Sequence, residues 1–255
     1  MNRINSLFEK KKNNILSLFF TAGYPERDST QQVLKAIQDS DADMVEIGIP
    51  FSDPVADGKV IQDSSAAALK NGMTLELLLG QLEELKDVFT KPALLMGYFN
   101  PVMQYGMERF CERCSRAGIA GLIIPDLPLP EYRKYKEIFL QHNLLFILLV
   151  TPGTTEERLR EIAGEAGGFI YAVSSYSTTG GTAASSVSKA YIDKVTGICG
   201  LPVLTGFGIH DNKTFRNACE MSSGGIIGSA FIKALSGSPD IKKSVSAFVK
   251  TITRR

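Results

Sequence analysis

The most constraining feature of this sequence is a set of eight short apolar runs that lack the hydrophobic–polar alternation of a half-exposed strand. Runs that are apolar at nearly every position are typical of parallel strands buried on both faces. The runs span residues 15–20, 44–48, 93–97, 121–125, 144–150, 169–173, 202–207 and 225–228. They predict a parallel sheet that is covered on both sides.

Helix-like segments separate these runs, with apolar positions recurring every three or four residues. They span residues 28–37, 74–85, 105–116, 131–141, 156–166, 188–197, 211–220 and 238–251. Eight strand–helix alternations predict the α/β class and a single (β/α)8 TIM-barrel domain over residues 1–255. A doubly wound open sheet is the alternative, although it would leave two edges to protect. An extra N-terminal helix at residues 2–12 is expected to close the bottom of the barrel.

Charge and hydropathy limit the kinds of partner that this chain is expected to bind. The chain has 28 basic and 27 acidic residues, for a net charge of +1, so bulk electrostatics favours neither nucleic acid nor a membrane surface. The first residues lack the apolar run of a signal peptide, and no segment reaches the roughly 18 apolar residues that span a bilayer. We therefore expect a soluble, cytoplasmic protein.

Cysteine and histidine offer little chemistry. Cys111 and Cys114 form a C-x-x-C on a predicted helix, but no second pair or nearby histidine supports zinc. A redox pair stays possible, and two reduced thiols on one helix face are the favoured interpretation. Because the chain has only two histidines, His142 and His210, any acid–base chemistry is expected to use carboxylates.

Two carboxylates stand out. Glu46 lies within the second apolar run, where alternation puts it on the same face as Met44 and Gly48. Asp57 follows in residues 49–72, an insertion before the next predicted helix. Active sites of (β/α)8 barrels lie at the carboxyl ends of the strands, and two carboxylates in different environments suit acid–base catalysis. The alternative is that Glu46 pairs with a buried cation, while Asp53 and Asp57 cap turns.

Three glycine clusters follow the last three predicted strands, at residues 177–181, 205–209 and 228–230. Glycine lets backbone N–H groups approach a phosphate closely, and barrels often bind phosphate after strands seven and eight. The alternative is ordinary turn glycine. The segment G-F-G-I-H-D lacks the third glycine of a dinucleotide fingerprint, which argues against NAD.

Residues 174–188 form a segment without charge that is rich in serine, threonine, glycine and alanine. Such a composition is typical of flexible linkers and of active-site lids. Because no domain boundary is apparent beside it, a lid is the favoured interpretation.

One motif is specific enough to indicate a family. The stretch E-I-G-I-P-F-S-D-P-V-A-D-G-K-V-I-Q (46–62) resembles the signature of the alpha subunit of tryptophan synthase. Shorter segments are similar to that family as well: F-T-A-G-Y-P (20–25), L-M-G-Y-F-N-P (95–101), I-P-D-L-P (124–128), G-F-G-I (206–209) and G-S-A (228–230).

The resemblance implies a lyase of tryptophan biosynthesis. The family cleaves indole-3-glycerol phosphate to indole and glyceraldehyde 3-phosphate in a retro-aldol reaction. Glu46 matches the acid–base that protonates C3 of the indole and takes the proton of the side-chain hydroxyl. Asp57 matches the group that stabilises charge at the ring nitrogen. The resemblance implies no metal and no cofactor on this chain.

The resemblance also implies the substrate contacts. The phosphate would rest on backbone groups at Gly180, Gly208, Gly228 and Ser229, and the apolar ring would lie among Phe19, Ile61, Tyr171 and Phe207.

In the family the lid threonine hydrogen-bonds the catalytic aspartate on closure, so Thr179 is the expected latch to Asp57. The lid departs from the family pattern, because Ser175 and Ser177 stand where arginine and glycine are common.

A partner is implied too. The family works with a beta subunit that carries pyridoxal phosphate, usually as an α2β2 heterotetramer, and passes indole to it. Pro50, Asp53, Asn100 and Pro128 match positions on the docking surface, although turn geometry alone could account for these residue types. Two alternatives to the lyase remain: another phosphate-binding barrel enzyme, and a non-catalytic subunit that binds and activates a pyridoxal-phosphate beta partner.

Overall fold

The computed structural model describes residues 1–173, 188–206, 208–237 and 240–254 of the chain. Within these ranges the strands form one parallel sheet. The strands are β1 Ile15–Thr21, β2 Met44–Gly48, β3 Ala93–Met96, β4 Gly121–Ile123, β5 Leu145–Phe146, β6 Leu148–Val150, β7 Ile170–Val173, β8 Val203–Gly206 and β9 Gly224–Ile227. These bounds agree with the eight apolar runs to within a few residues.

The sheet closes into a barrel. Its strand order is β5-β4-β3-β2-β1-β9-β8-β7-β6. Only Ile147 separates β5 from β6, and its backbone N–H donates to the carbonyl of Leu122 at 2.9 Å. The two pieces therefore occupy one position of the barrel and join its ends. The predicted (β/α)8 barrel is confirmed, and the open sheet is excluded because no edge of the sheet remains between β5 and β6.

Helices cover the outside of the barrel. The helices of the described ranges are α1 Arg3–Lys10, α2 Ser29–Gln38, α3 Lys59–Lys70, α4 Leu75–Leu85, α5 Phe99–Tyr105, α6 Met107–Arg116, α7 Leu129–Gln141, α8 Glu156–Ala163, α9 Lys189–Cys199, α10 Asn212–Met221, α11 Ser229–Leu235 and α12 Ile241–Thr253.

Several of these helices differ from the sequence expectation. Helix α3 lies inside the predicted insertion 49–72, and α11 was not predicted at all. Helix α5 was not predicted either, and the predicted helix 105–116 begins instead at Met107, as α6, because Gly106 adopts φ +93° between α5 and α6. Such a backbone angle favours glycine and interrupts the helical hydrogen-bond ladder.

Two apolar clusters show which face of each strand points inward. Met44 belongs to the cluster that fills the barrel, together with Ile15, Leu94 and Ile226. Val45 belongs to the outer cluster that packs under the helices. By the alternation of side chains along a strand, Glu46 points into the barrel, as the sequence predicted.

Helix α1 closes the bottom of the barrel, as expected for an extra N-terminal helix. Ile4 and Phe8 are buried within the inner cluster, and the ring of Phe8 lies 5.8 Å from that of Phe169. The Asn2 side chain begins the helix by accepting the backbone N–H of Ile4 at 2.9 Å. The bottom is therefore sealed, and access to the interior is from the opposite end.

The cysteines of the C-x-x-C are both fully buried on α6 and unoxidised. Burial raises the pKa of Cys111 to about 12 and that of Cys114 well above its ordinary value, so both are protonated and unreactive at neutral pH. In the described ranges no group of three histidine, cysteine, aspartate or glutamate residues could hold a metal. No described helix has the length and apolar character needed to cross a membrane.

Candidate active site

An open cleft lies at the carboxyl ends of β1 to β4. The residues that line this cleft include Phe19, Thr21, Asp57, Ile61, Ser65 and Tyr98. Three of them, Phe19, Asp57 and Ile61, were predicted from the sequence as site residues, and the structure brings them together. The cleft is where a (β/α)8 barrel places its chemistry.

Glu46 lies beneath this cleft in the barrel interior. Its neighbour in the sheet register is Phe19, which lines the cleft above. The carboxyl group is fully buried, and one oxygen, Oε1, accepts the hydroxyl of Ser17 at 2.8 Å. The other oxygen, Oε2, has no hydrogen-bond partner among the described residues. The alternative of a buried ion pair is not supported, because no described cation contacts Glu46.

Burial decides the protonation of Glu46. Removal of the carboxylate from water raises its pKa from 4.5 to about 8, while the Ser17 hydrogen bond acts in the opposite direction. Glu46 is therefore mostly protonated at neutral pH. A neutral carboxyl group with one uncommitted oxygen can donate a proton at pH 7.

Asp57 lies on the loop before α3 and is held by a neighbouring loop. The Tyr98 hydroxyl donates to its Oδ2 at 3.1 Å and accepts the backbone N–H of Ala56 at 2.9 Å. The Gln62 side chain donates to the Asp57 carbonyl at 2.9 Å. Burial raises the pKa of Asp57 above its ordinary value, and the Tyr98 hydrogen bond partly offsets this increase. Asp57 therefore has a partly solvated environment that differs from that of Glu46.

Tyr171 connects the two carboxylates electrostatically. Its pKa is raised well above the usual value, first by burial and then by the charges of Glu46 and Asp57. The tyrosine ring needs the space left by a glycine, since a Cβ on Gly206 would lie 2.3 Å from its hydroxyl oxygen. The charges of both carboxylates therefore reach Tyr171, whose ring lies in the inner cluster of the barrel.

The described glycines of the predicted phosphate site follow β8 and β9, which are adjacent in the barrel. Gly208 is exposed and adopts φ +77°. Gly228 precedes α11, which begins at Ser229. A Cβ on Gly228 would lie 3.3 Å from the ring of Phe19, so this turn contacts the wall of the cleft. Whether these residues bind phosphate remains a prediction.

Some predicted positions lie outside the described residues. Thr179, Gly180 and Phe207 are among them, and so is the predicted lid apart from Ser188, which begins α9. The lid, the latch to Asp57 and the Phe207 contact therefore stay predictions.

The predicted docking residues follow β2, β3 and β4, three adjacent strands. Asp53, Asn100 and Pro128 are exposed, whereas Pro50 is buried. Their role in docking is not tested by this geometry and remains a prediction.

Sequence reasoning missed several polar residues of the site. Tyr98 was within a recognised motif, and its position just after β3 was a signal that it faces the cleft. Ser17 carried no such signal, because a serine inside an apolar run is common. Thr21 and Ser65 line the cleft from β1 and α3, and Ser65 could not be placed while α3 was unrecognised.

Fold and cleft together define a (β/α)8-barrel enzyme whose candidate acid–base groups are carboxylates. Comparison with known proteins gives the family. Residues 5–254 match the family model described as the tryptophan synthase alpha chain, and the chain belongs to this family.

The relatives agree over nearly the full length. The chain is 48% identical to a tryptophan synthase alpha chain of Parabacteroides distasonis, over 99% of both chains. It is 47% identical to one of Flavobacterium psychrophilum, over 96% of this chain and 99% of the other. The structure resembles tryptophan synthase subunit alpha from Legionella pneumophila, with a TM-score of 0.89 and 32% identity over 99% of this chain and 97% of that chain. The predicted family, the alpha reaction and the lyase class are confirmed.

Proposed function

We propose that Glu46 and Asp57 carry out the alpha reaction, the retro-aldol cleavage of indole-3-glycerol phosphate to indole and glyceraldehyde 3-phosphate. The observation that carries this proposal is the buried Glu46 carboxyl, with a pKa of about 8 and an uncommitted Oε2, beneath an aromatic-walled cleft. A carboxyl group in this state is an acid at neutral pH and a usable base once it has lost its proton.

Glu46 acts twice in the proposed sequence. The neutral carboxyl first gives its proton to C3 of the indole ring, which places positive charge on the ring nitrogen. The resulting carboxylate then takes the proton of the hydroxyl on the adjacent side-chain carbon. The C–C bond breaks, its electron pair returns to the ring to give indole, and the hydroxyl carbon becomes the aldehyde. Glu46 ends protonated, so it needs no other proton source.

Asp57 stabilises the intermediate charge. Its carboxylate is held by Tyr98 at the cleft wall, where a negative group offsets the positive charge at the ring nitrogen. Such preorganised electrostatic groups act most strongly where water is partly excluded. The indole ring would contact Phe19, Ile61, Tyr171 and Phe207.

The phosphate of the substrate would lie at the other side of the cleft. Backbone N–H groups of Gly180, Gly208, Gly228 and Ser229 would bind it. The contact between Gly228 and Phe19 supports this placement, because it joins the glycine turn to the wall of the ring site.

No metal or cofactor takes part on this chain in the proposed mechanism. A beta subunit with pyridoxal phosphate would consume the indole within an α2β2 complex. The loops after β2, β3 and β4 supply the docking face. Val55, on the first of these loops, is 80% exposed, and an apolar side chain so exposed beside Asp53 suits burial by a partner chain.

The test is a cleavage assay of the full chain with indole-3-glycerol phosphate, with and without a purified beta subunit. We expect indole in the wild-type reaction, none above background for Glu46→Gln, and a loss of about 10²-fold or more for Asp57→Asn. The control is Asp63→Asn, which changes an exposed carboxylate on α3 and should leave the rate unchanged.

Two other outcomes would decide against this assignment. A near-normal rate of Glu46→Gln would remove Glu46 from the chemistry. Activation of the beta subunit that survives Glu46→Gln, with no cleavage in any mixture, would instead support the non-catalytic subunit.

A further inference from the structure

Ser17 is a fully buried polar residue inside the barrel, and the mechanism above does not use it. It lies on β1 in register with Met44, two residues before the pair Phe19 and Glu46 and on the same face of the sheet. Its relative exposure is 0%. A hydroxyl buried this deeply must be hydrogen-bonded, and the bond it makes is to Oε1 of Glu46 at 2.8 Å.

The hydrogen bond makes the two oxygens of Glu46 different. Oε1 accepts the Ser17 hydroxyl, while Oε2 is buried without a partner. In a neutral carboxyl group the carbonyl oxygen accepts hydrogen bonds more readily than the hydroxyl oxygen, which carries the proton. A donor at Oε1 therefore places the acidic proton on Oε2.

Among the described residues, Ser17 is the polar group that contacts the Glu46 carboxyl. Leu94, the residue paired with Glu46 on β3, is apolar. The charge of Glu46 raises the pKa of Tyr171 on β7, and the charge of Asp57 raises it as well. Among the described residues no cation contributes to the pKa of Glu46, which reflects burial and the Ser17 hydroxyl alone.

We propose that Ser17 is a positioning residue for Glu46. The Ser17 hydroxyl holds Oε1 of Glu46, so that Oε2 exchanges the proton with the substrate. This inference rests on the proposed function of Glu46. The same hydroxyl stabilises the carboxylate after proton donation, since a hydrogen bond to the charged form favours that form. Ser17 thereby adjusts the acid so that it can also serve as the base.

The test is the pH profile of kcat/KM for indole-3-glycerol phosphate cleavage, measured with the beta subunit present. The rate should fall above the pKa of Glu46, because the first step needs the protonated acid. In Ser17→Ala the stabilisation of the carboxylate is lost, so we expect this alkaline limb to move to higher pH. We expect kcat to fall by about 10-fold, less than the roughly 10²–10⁴-fold contributed by a complete general acid–base, because Glu46 itself remains, and we expect KM to change little.

Two further variants separate positioning from packing. Ser17→Cys keeps a side chain of similar size with a weaker donor, and its alkaline limb should lie between those of wild type and Ser17→Ala. Thr205→Val removes another buried hydroxyl from a barrel strand, one that contacts the Gly224 carbonyl away from the cleft. It should leave the alkaline limb where it is in the wild type.

The outcomes distinguish the role of Ser17 from the proposed function of Glu46, on which it rests. An unmoved alkaline limb in Ser17→Ala, with normal loss of activity in Glu46→Gln, would overturn the role of Ser17 alone. Full activity in Glu46→Gln would overturn the proposed function itself. A limb that moves in Ser17→Ala and stays in Thr205→Val supports the positioning role.

Discussion

At the scale of single residues, Glu46 shows how a barrel interior creates an acid. A carboxylate in water titrates near 4.5, and burial beneath the cleft raises this pKa to about 8. Ser17 is the one described residue that donates a hydrogen bond to it. The charged form of Glu46 is therefore unfavourable in the folded protein, and the same burial that favours catalysis lowers stability.

This cost predicts a pH-dependent gain of stability in Glu46→Gln. The folded-state pKa lies above the unfolded value, so the protonated group stabilises the fold below about pH 4.5, and this contribution is lost as pH rises toward 8. Deprotonation pressure on this group should therefore lower the free energy of unfolding of the wild type by about 3 kcal/mol between about pH 4.5 and about pH 7. The neutral amide does not titrate, so the variant should lose none of it.

Denaturant unfolding at about pH 5 and about pH 7 measures this difference. The free energy of unfolding of Glu46→Gln minus that of wild type should increase with pH. The control is Glu137→Gln, an exposed position on α7, where the difference should stay constant. A constant difference for Glu46→Gln would mean that the carboxyl is not held at a raised pKa.

At the scale of elements, the side chain of Lys91 caps the C-terminal end of helix α2. The Lys91 ammonium donates to the carbonyls of Ile37 at 2.9 Å and Ala42 at 2.7 Å, and to that of Ser40 as well. These carbonyls lie at and beyond the C-terminal end of α2, where backbone acceptors lack helical partners. The cation therefore joins the end of α2 to the start of β3.

Lys91→Met should destabilise the fold by about 3 kcal/mol. The methionine keeps most of the apolar stem but leaves three carbonyls without their charged donor, and hydrogen bonds to charged groups contribute about 1.5–3 kcal/mol each. Chemical denaturation measures the loss, and Lys86→Met, an exposed position at the end of α4, is the control. A loss below about 0.5 kcal/mol would show that water replaces the ammonium without cost.

The strands and helices also show which elements a sequence pattern can predict and which it misses. The strands were predicted because β1 and β2 are apolar on both faces, a signal that needs no knowledge of neighbours. Helix α3 was missed because only three of its residues are buried, two of them serines, so it has little apolar periodicity. Ser64 of this helix hydrogen-bonds Thr21 of β1 at 2.6 Å, a contact that no local pattern encodes.

At the scale of the whole molecule, the first and the last strand of the chain complete the barrel by pairing with each other through a very close contact of backbones. β9 pairs with β1 with Gly224 opposite Ile15. A Cβ on Gly224 would lie 2.1 Å from the carbonyl oxygen of Ile15, far inside van der Waals contact. A residue other than glycine would separate the strands that complete the barrel.

Gly224→Ala should therefore destabilise the fold by about 3 kcal/mol or more, at the upper end of overpacking effects. Gly197→Ala is the matched control, because a Cβ there meets no atom within 4 Å and the position is exposed on α9. It should stabilise the protein by about 0.5–1 kcal/mol, since alanine favours a helix. Thermal and denaturant unfolding of both variants measure these changes, and equal stabilities would contradict the closure argument.

The sequence by itself determined the barrel, the inward direction of Glu46 and the family, because apolar periodicity and a contiguous motif are local properties. The tertiary structure alone decided that Ser17 would bind one oxygen of Glu46 and that Tyr98 would hold Asp57. These pairs lie 29 and 41 residues apart in the chain, and the raised pKa of Glu46 comes from the loss of water around it. Desolvation and contact between distant segments exist only in the folded chain, so no local pattern could state them.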